Sequence, residues 1–200
     1  MPKLPTPKPY VSQSQKLLDK GIKRISEFCK VNDIHCPTVI AIDKWDWHVG
    51  ACAYYRPQEI KICLAECAHP CTEHQVRNWN WPGSTTDREP YGVVCHELGH
   101  HIDWLMSEKK GKYYGDYSKK LHEKTKEKSI TSYDPNVAEW FAEICRLYIT
   151  NHALLALIRP RTWAALHKQF KPVSDEDWVK ELGPNVPARV IKALENKMEL

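Results

Sequence analysis

Tyr91-Gly92-Val93-Val94-Cys95-His96-Glu97-Leu98-Gly99-His100-His101-Ile102-Asp103-Trp104-Leu105-Met106 combines two patterns in one segment. Val94, Leu98, Ile102 and Leu105 recur at helical spacing, which predicts a helix with an apolar stripe. Pro90 suits its first turn, and Asp87 lies close to its cap. On that helix His96 and His100 stand at i and i+4, on one face, where two imidazoles can converge on a single ion. Glu97, beside the first of them, is placed to act as a general base on a metal-bound water. Gly99 leaves room for close packing. Cys95 and His101 point about 100° away from the neighbouring ligand positions, so Cys95 reads as a packing residue and His101 is not expected to be a ligand.

A catalytic zinc takes three protein ligands and leaves one position for water, so a third ligand is required. The longer histidine motifs fail, because the chain has Asp103, Leu105 and Met106 where they need glycine or histidine. That leaves a carboxylate on a second helix. The segment 136–149 predicts one, starting after Asp134-Pro135, and Glu139 and Glu143 stand on it at i and i+4 in otherwise apolar surroundings. A solvated pair of glutamates with Arg146 is the plain alternative. An acidic face toward a core needs a partner, and zinc with its histidines supplies one. Glu139 is therefore the expected ligand, and Glu143 the expected partner of a histidine ring N–H.

With these residues in place, HELGHHID followed by TSYDPNVAEWFAEICRLY resembles the catalytic domain of the anthrax lethal-factor-like zinc metallopeptidases, of the gluzincin group. The likeness covers residues 90–150, more weakly 160–170. It implies a zincin-like metallopeptidase fold and zinc held by His96, His100 and Glu139. It also implies peptide-bond hydrolysis by a zinc-bound water that Glu97 activates. Tyr133, in the Thr131-Ser132-Tyr133 segment, matches the tyrosine that stabilises the oxyanion, at a spacing to Glu139 slightly shorter than in the family. Asp103 matches an aspartate there and is expected just behind the ligands. In zincins the substrate lies along an exposed edge strand, and 59–64 is the candidate.

The rest of the chain frames this centre. Residues 1–10, with four prolines, read as a flexible tail, and 11–200 as a single metallopeptidase domain. Its first part, 11–89, predicts a helix over 11–29 and strand-like runs at 38–42, 49–55 and 59–64, with a turn at Arg56-Pro57-Gln58. A loop over 65–89 carries cysteines and tryptophans. The second part, 90–200, holds the active-site helix, a basic stretch at 108–128 and further helices at 160–169 and 187–198. The fold class is α+β, a small mixed sheet followed by a mostly helical C-terminal half.

With 42% hydrophobic and 27% charged residues, 200 residues make one ordinary globular domain and exclude wholesale disorder. The net charge of +4 resides in 108–128, where eight lysines face four acidic residues. Lysine alternates there with glutamate as on a solvated face, so nucleic acid is not an expected partner. The expected partner is a protein or peptide substrate. No membrane segment and no secretory signal are read, so the expected setting is the cytoplasm, which would suit a phage- or prophage-encoded protein. A DNA-associated metallopeptidase and a non-catalytic zinc-containing binding module are the rival readings.

Eight cysteines exceed what this centre uses. Cys63, Cys67 and Cys71 stand at i, i+4 and i+8, and a register with Tyr55 opposite Ile60 sets Cys52 against Cys63. Together with His74 these residues suit a second, structural zinc, disulfides or plain packing, and the sequence leaves the three open.

Overall fold

The computed structural model describes residues 8–43, 51–67, 89–111, 114–131 and 136–173. Helix α1 (Lys8–Val31) begins inside the proline-rich stretch expected to be tail. Three strands follow: β1 (Thr38–Ile42), β2 (Ala53–Arg56) and β3 (Glu59–Cys63). Then come α2 (Pro90–Met106), α3 (Tyr117–Thr125), α4 (Val137–Ile158) and α5 (Pro160–His167). The architecture is α+β, a three-stranded sheet with mostly helical surroundings. The helix expected over 187–198 lies outside the described residues.

The sheet order is β1-β3-β2, with β1 parallel and β2 antiparallel to β3. β2 and β3 form a hairpin across Pro57-Gln58, where Gln58 takes a positive φ of 71°. Tyr55 faces Ile60 as the register required, and the Cys63 N–H donates to the Cys52 carbonyl at 2.8 Å. One expectation is corrected. The strand at 59–64 is central, flanked by β1 and β2, so it offers no open edge. A hairpin reads locally, but the side on which a distant parallel strand joins it does not. Among the described residues β2 is an outer strand, and it packs beside α2.

Helix α2 lies between α1, α4 and the sheet, and every residue from Pro90 to Asp103 is buried. The apolar stripe is thus only part of its buried surface. Its polar side chains are buried as well, and each needs a partner. α4 is long and apolar enough to cross a membrane by length and composition, yet most of it is buried as a core helix. It breaks at Asn151 (φ −159°, ψ 74°), just past the helix end read at 149, and the Asn151 side chain accepts the Leu154 N–H at 3.0 Å.

α2 and α4 approach tightly at Gly99. A Cβ built there would lie 2.6 Å from the Ala142 Cα and 3.0 Å from the Cys145 Cβ. Gly99→Ala would gain about 1 kcal/mol of helix propensity. Overpacking against backbone costs about 1–3 kcal/mol, so a net loss is expected in urea unfolding. It should also shift α2, which carries His96 and His100, relative to α4, which carries Glu139. A more stable Gly99→Ala protein would contradict this packing.

Candidate metal centre

Three side chains from two helices meet at this crossing. The ligand atoms of His96, His100 and Glu139 all lie within 4.8 Å of one another. The Glu139 carboxylate sits between the imidazoles, Oε2 at 3.0 Å from His96 Nε2 and Oε1 at 3.5 Å from His100 Nε2. The two rings are nearly perpendicular, with centroids 5.0 Å apart. Local chemistry sets the carboxylate's place. Asn136 caps α4, its Oδ1 accepting the Ala138 and Glu139 N–H groups at 2.9 and 3.1 Å, which fixes the first turn that carries Glu139.

Glu143 stands one turn further on and fully buried. Its Oε1 accepts from His96 Nδ1 at 2.7 Å, which turns Nε2 of that ring toward Glu139. The same carboxylate takes a two-pronged contact from Arg146, Nε at 3.1 Å and Nη2 at 2.9 Å. Burial alone would raise the Glu143 carboxyl, but Arg146 and His96 outweigh it and hold it down at about 2. Burial would likewise depress His96, but Glu139 and Glu143 outweigh it and lift the ring to about 10. Both His96 nitrogens then donate to carboxylates. A cation entering the centre has to displace the Nε2 proton.

Two imidazoles and one carboxylate are a donor set that zinc takes, and a carboxylate behind one imidazole is the usual device for aiming it. The residues present therefore fit a metal ion of that class.

Glu97 is buried beside the centre without being one of its three ligand positions. Burial pushes its carboxyl up and the Glu139 charge adds to this, while His100, His96 and the Tyr55 backbone N–H pull it back. A carboxylate raised from its ordinary range takes up a proton more readily than a solvated one, as a general base must.

Asp103 also lies on α2, but its carboxylate is occupied by the segment leading into α3. It accepts the Ser118 N–H at 2.8 Å, the Ser118 Oγ at 3.0 Å and the Gly115 N–H at 3.1 Å. Gly115 packs so tightly that a Cβ there would sit 1.6 Å from the Ser107 Oγ. The anchored segment sets the Tyr114 ring 5.3 Å from the His100 ring, with Tyr114 itself 42% exposed. Tyr114 borders the centre on its solvent side, which no spacing in the sequence signals. Tyr133 lies outside the described residues.

His101, not expected as a ligand, is fully buried and hydrogen-bonded at both nitrogens, to the Tyr55 hydroxyl at 3.0 Å and the His35 carbonyl at 2.8 Å. Burial holds its pKa down to about 4, so the ring is neutral.

Of the cysteine cluster, Cys52, Cys63 and Cys67 are buried. Cys52 Sγ donates to the Glu66 carbonyl at 3.0 Å, Cys63 Sγ to that of Asp43 at 3.6 Å and Cys67 Sγ to that of Cys63 at 3.4 Å. Carbonyl acceptors favour the protonated thiol over the thiolate that zinc binds. No disulfide joins these three, and Cys71 and His74 lie outside the described residues. Among the described residues the His96–His100–Glu139 group is the one arranged to hold a metal.

No family model, curated protein or solved structure matches the chain.

Proposed function

We propose that the chain is a zinc-dependent metallopeptidase of the zincin kind that hydrolyses peptide bonds in a protein or peptide substrate. The observation that carries this reading is the convergence of His96, His100 and Glu139 with a buried carboxylate, Glu97, beside them. His96 Nε2, His100 Nε2 and the Glu139 carboxylate would hold the ion. Zinc, when bound, supplies Lewis acidity for polarising a carbonyl and acidifying water.

The chain's own residues do the remainder. Glu143 fixes the His96 ring so that Nε2 faces the ion. Glu97 takes the proton from the attacking water and hands it to the leaving amine. Tyr133, from the family resemblance, would donate its hydroxyl to the oxygen that gains charge. β2, an outer strand among the described residues and in contact with α2, is the strand along which an extended substrate would pair. Lys120 is paired with Glu108 and Asp116 of its own segment, which supports reading α3 as a solvated face.

The test uses zinc-loaded chain and a proteome-derived peptide library, with new N-termini identified by mass spectrometry. Cleavage should stop on chelation and return with added zinc. A chain that binds zinc in the centre yet cleaves nothing in the library would reduce it to a binding or structural module.

A further inference from the structure

The two imidazoles of the centre are held in different ways. His96 Nδ1 donates to Glu143 Oε1 at 2.7 Å, which fixes that ring from behind. His100 Nδ1 is buried and, among the described residues, has no hydrogen-bond partner. On the other side of the ring, Nε2 lies 3.5 Å from Glu139 Oε1, a long contact for a hydrogen bond. The torsion that turns an imidazole about its Cβ–Cγ bond has no sharp minimum of its own. The orientation of His100 therefore depends on what packs against the ring.

Two aromatic rings do so. His96 stands across it at 82° with centroids 5.0 Å apart, and Tyr114 at 57° with centroids 5.3 Å apart. Tyr114 belongs to the segment between α2 and α3, and hydrogen bonds hold that segment on both sides of the residue. The Gly111 N–H donates to the Tyr114 carbonyl at 2.8 Å. Beyond Tyr114, the Gly115 N–H and both donors of Ser118 reach the Asp103 carboxylate. The Tyr117 N–H donates to Ser107 Oγ at 2.9 Å, and that hydroxyl donates to the Asp103 carbonyl at 2.6 Å. The fit is close, since a Cβ at Gly115 would lie 2.5 Å from the same carbonyl oxygen. Asp103 stands three residues after His100 on α2, so the anchor and the ring beside Tyr114 ride on one helix.

We propose that Tyr114 is a positioning residue for His100: its ring, fixed through Asp103 and Ser107, does for this imidazole what the Glu143 carboxylate does for His96. Aromatic packing orients a ring without a hydrogen bond, and a ring already oriented gives up less freedom when it takes an ion. This role rests on the reading of His96, His100 and Glu139 as metal ligands, and peptide hydrolysis does not enter it.

The experiment titrates wild type, Tyr114→Ala and Tyr114→Phe with zinc against a chromophoric chelator, and records the visible spectra of the same proteins loaded with cobalt(II). Tyr114→Ala should weaken zinc binding roughly threefold to tenfold, the cost of ordering one more side chain on binding. Its cobalt bands should shift or lose intensity, because they report the arrangement of the donors around the ion. Tyr114→Phe keeps the ring and should match wild type in both. Urea unfolding of the metal-free proteins checks the fold, and with Tyr114 42% exposed the alanine variant should unfold close to wild type. A Tyr114→Ala protein with either its zinc affinity or its cobalt bands unchanged would overturn this role. So would a Tyr114→Phe protein as impaired as Tyr114→Ala, which would assign the effect to the hydroxyl. Wild type that takes up neither ion overturns the metal reading and this role together. Wild type that binds zinc but cleaves no peptide touches the peptidase reading alone.

Discussion

Glu97→Gln is expected to abolish measurable peptide hydrolysis while zinc content stays at the wild-type level. Removing a positioned general base costs about 10²–10⁴ in rate, or about 3–5 kcal/mol of barrier. The structural cost should be small by comparison. Glutamine has the shape of glutamate and keeps an oxygen acceptor on the same side chain, so the packing around residue 97 is retained. It cannot take a proton from water. Because Glu97 stands outside the ligand group of His96, His100 and Glu139, the donors for the ion are untouched. Metal analysis and single-turnover cleavage on one preparation separate the two effects. If zinc is lost together with activity, Glu97 is a ligand and the assignment of Glu139 needs revision. If the rate survives, the base lies elsewhere.

The convergence of His96 and His100 with Glu139 was half legible in the sequence because helical spacing is rigid. Residues at i and i+4 must share a face, so His96 with His100 and Glu139 with Glu143 could be paired from their numbers alone. Only packing could show that the two faces meet, and Gly99 against Ala142 is the contact that allows it. The hairpin register was also legible, because a two-residue turn at Pro57-Gln58 determines every pair that follows. Non-local pairing was not. Nothing near 59–64 reports that β1 will join its far side, and so the outer strand was misassigned.

The polar residues of α2 show the same boundary. A stripe of four apolar residues suggests a helix with one buried face, whereas α2 is covered by α1, α4 and the sheet together. Asp103 and His101 therefore had to find partners that lie far away in the chain or on other elements. Asp103 found Gly115 and Ser118, and His101 found Tyr55 and His35. Such partners are set by three-dimensional packing, and no spacing rule along one helix encodes them.

Glu143→Leu is expected to be among the most destabilising single changes in the chain and to weaken zinc binding by a separate route. Arg146 is only 2% exposed, and its guanidinium grips both Glu143 oxygens. Removing one partner of a buried pair leaves an uncompensated charge, at a cost of about 3–5 kcal/mol. The same substitution frees His96 Nδ1 from its 2.7 Å contact, and loss of such an orienting carboxylate lowers metal affinity roughly tenfold to a hundredfold. The double variant Glu143→Leu with Arg146→Met separates the two effects. Replacing the whole pair with apolar side chains should recover most of the stability in urea unfolding, since buried pairs offset little more than their own desolvation. It should not recover zinc affinity in a competition with a chelator, because His96 still lacks its partner. Recovery of both would mean that Glu143 serves only Arg146 and that the His96 ring is held by something other than this carboxylate.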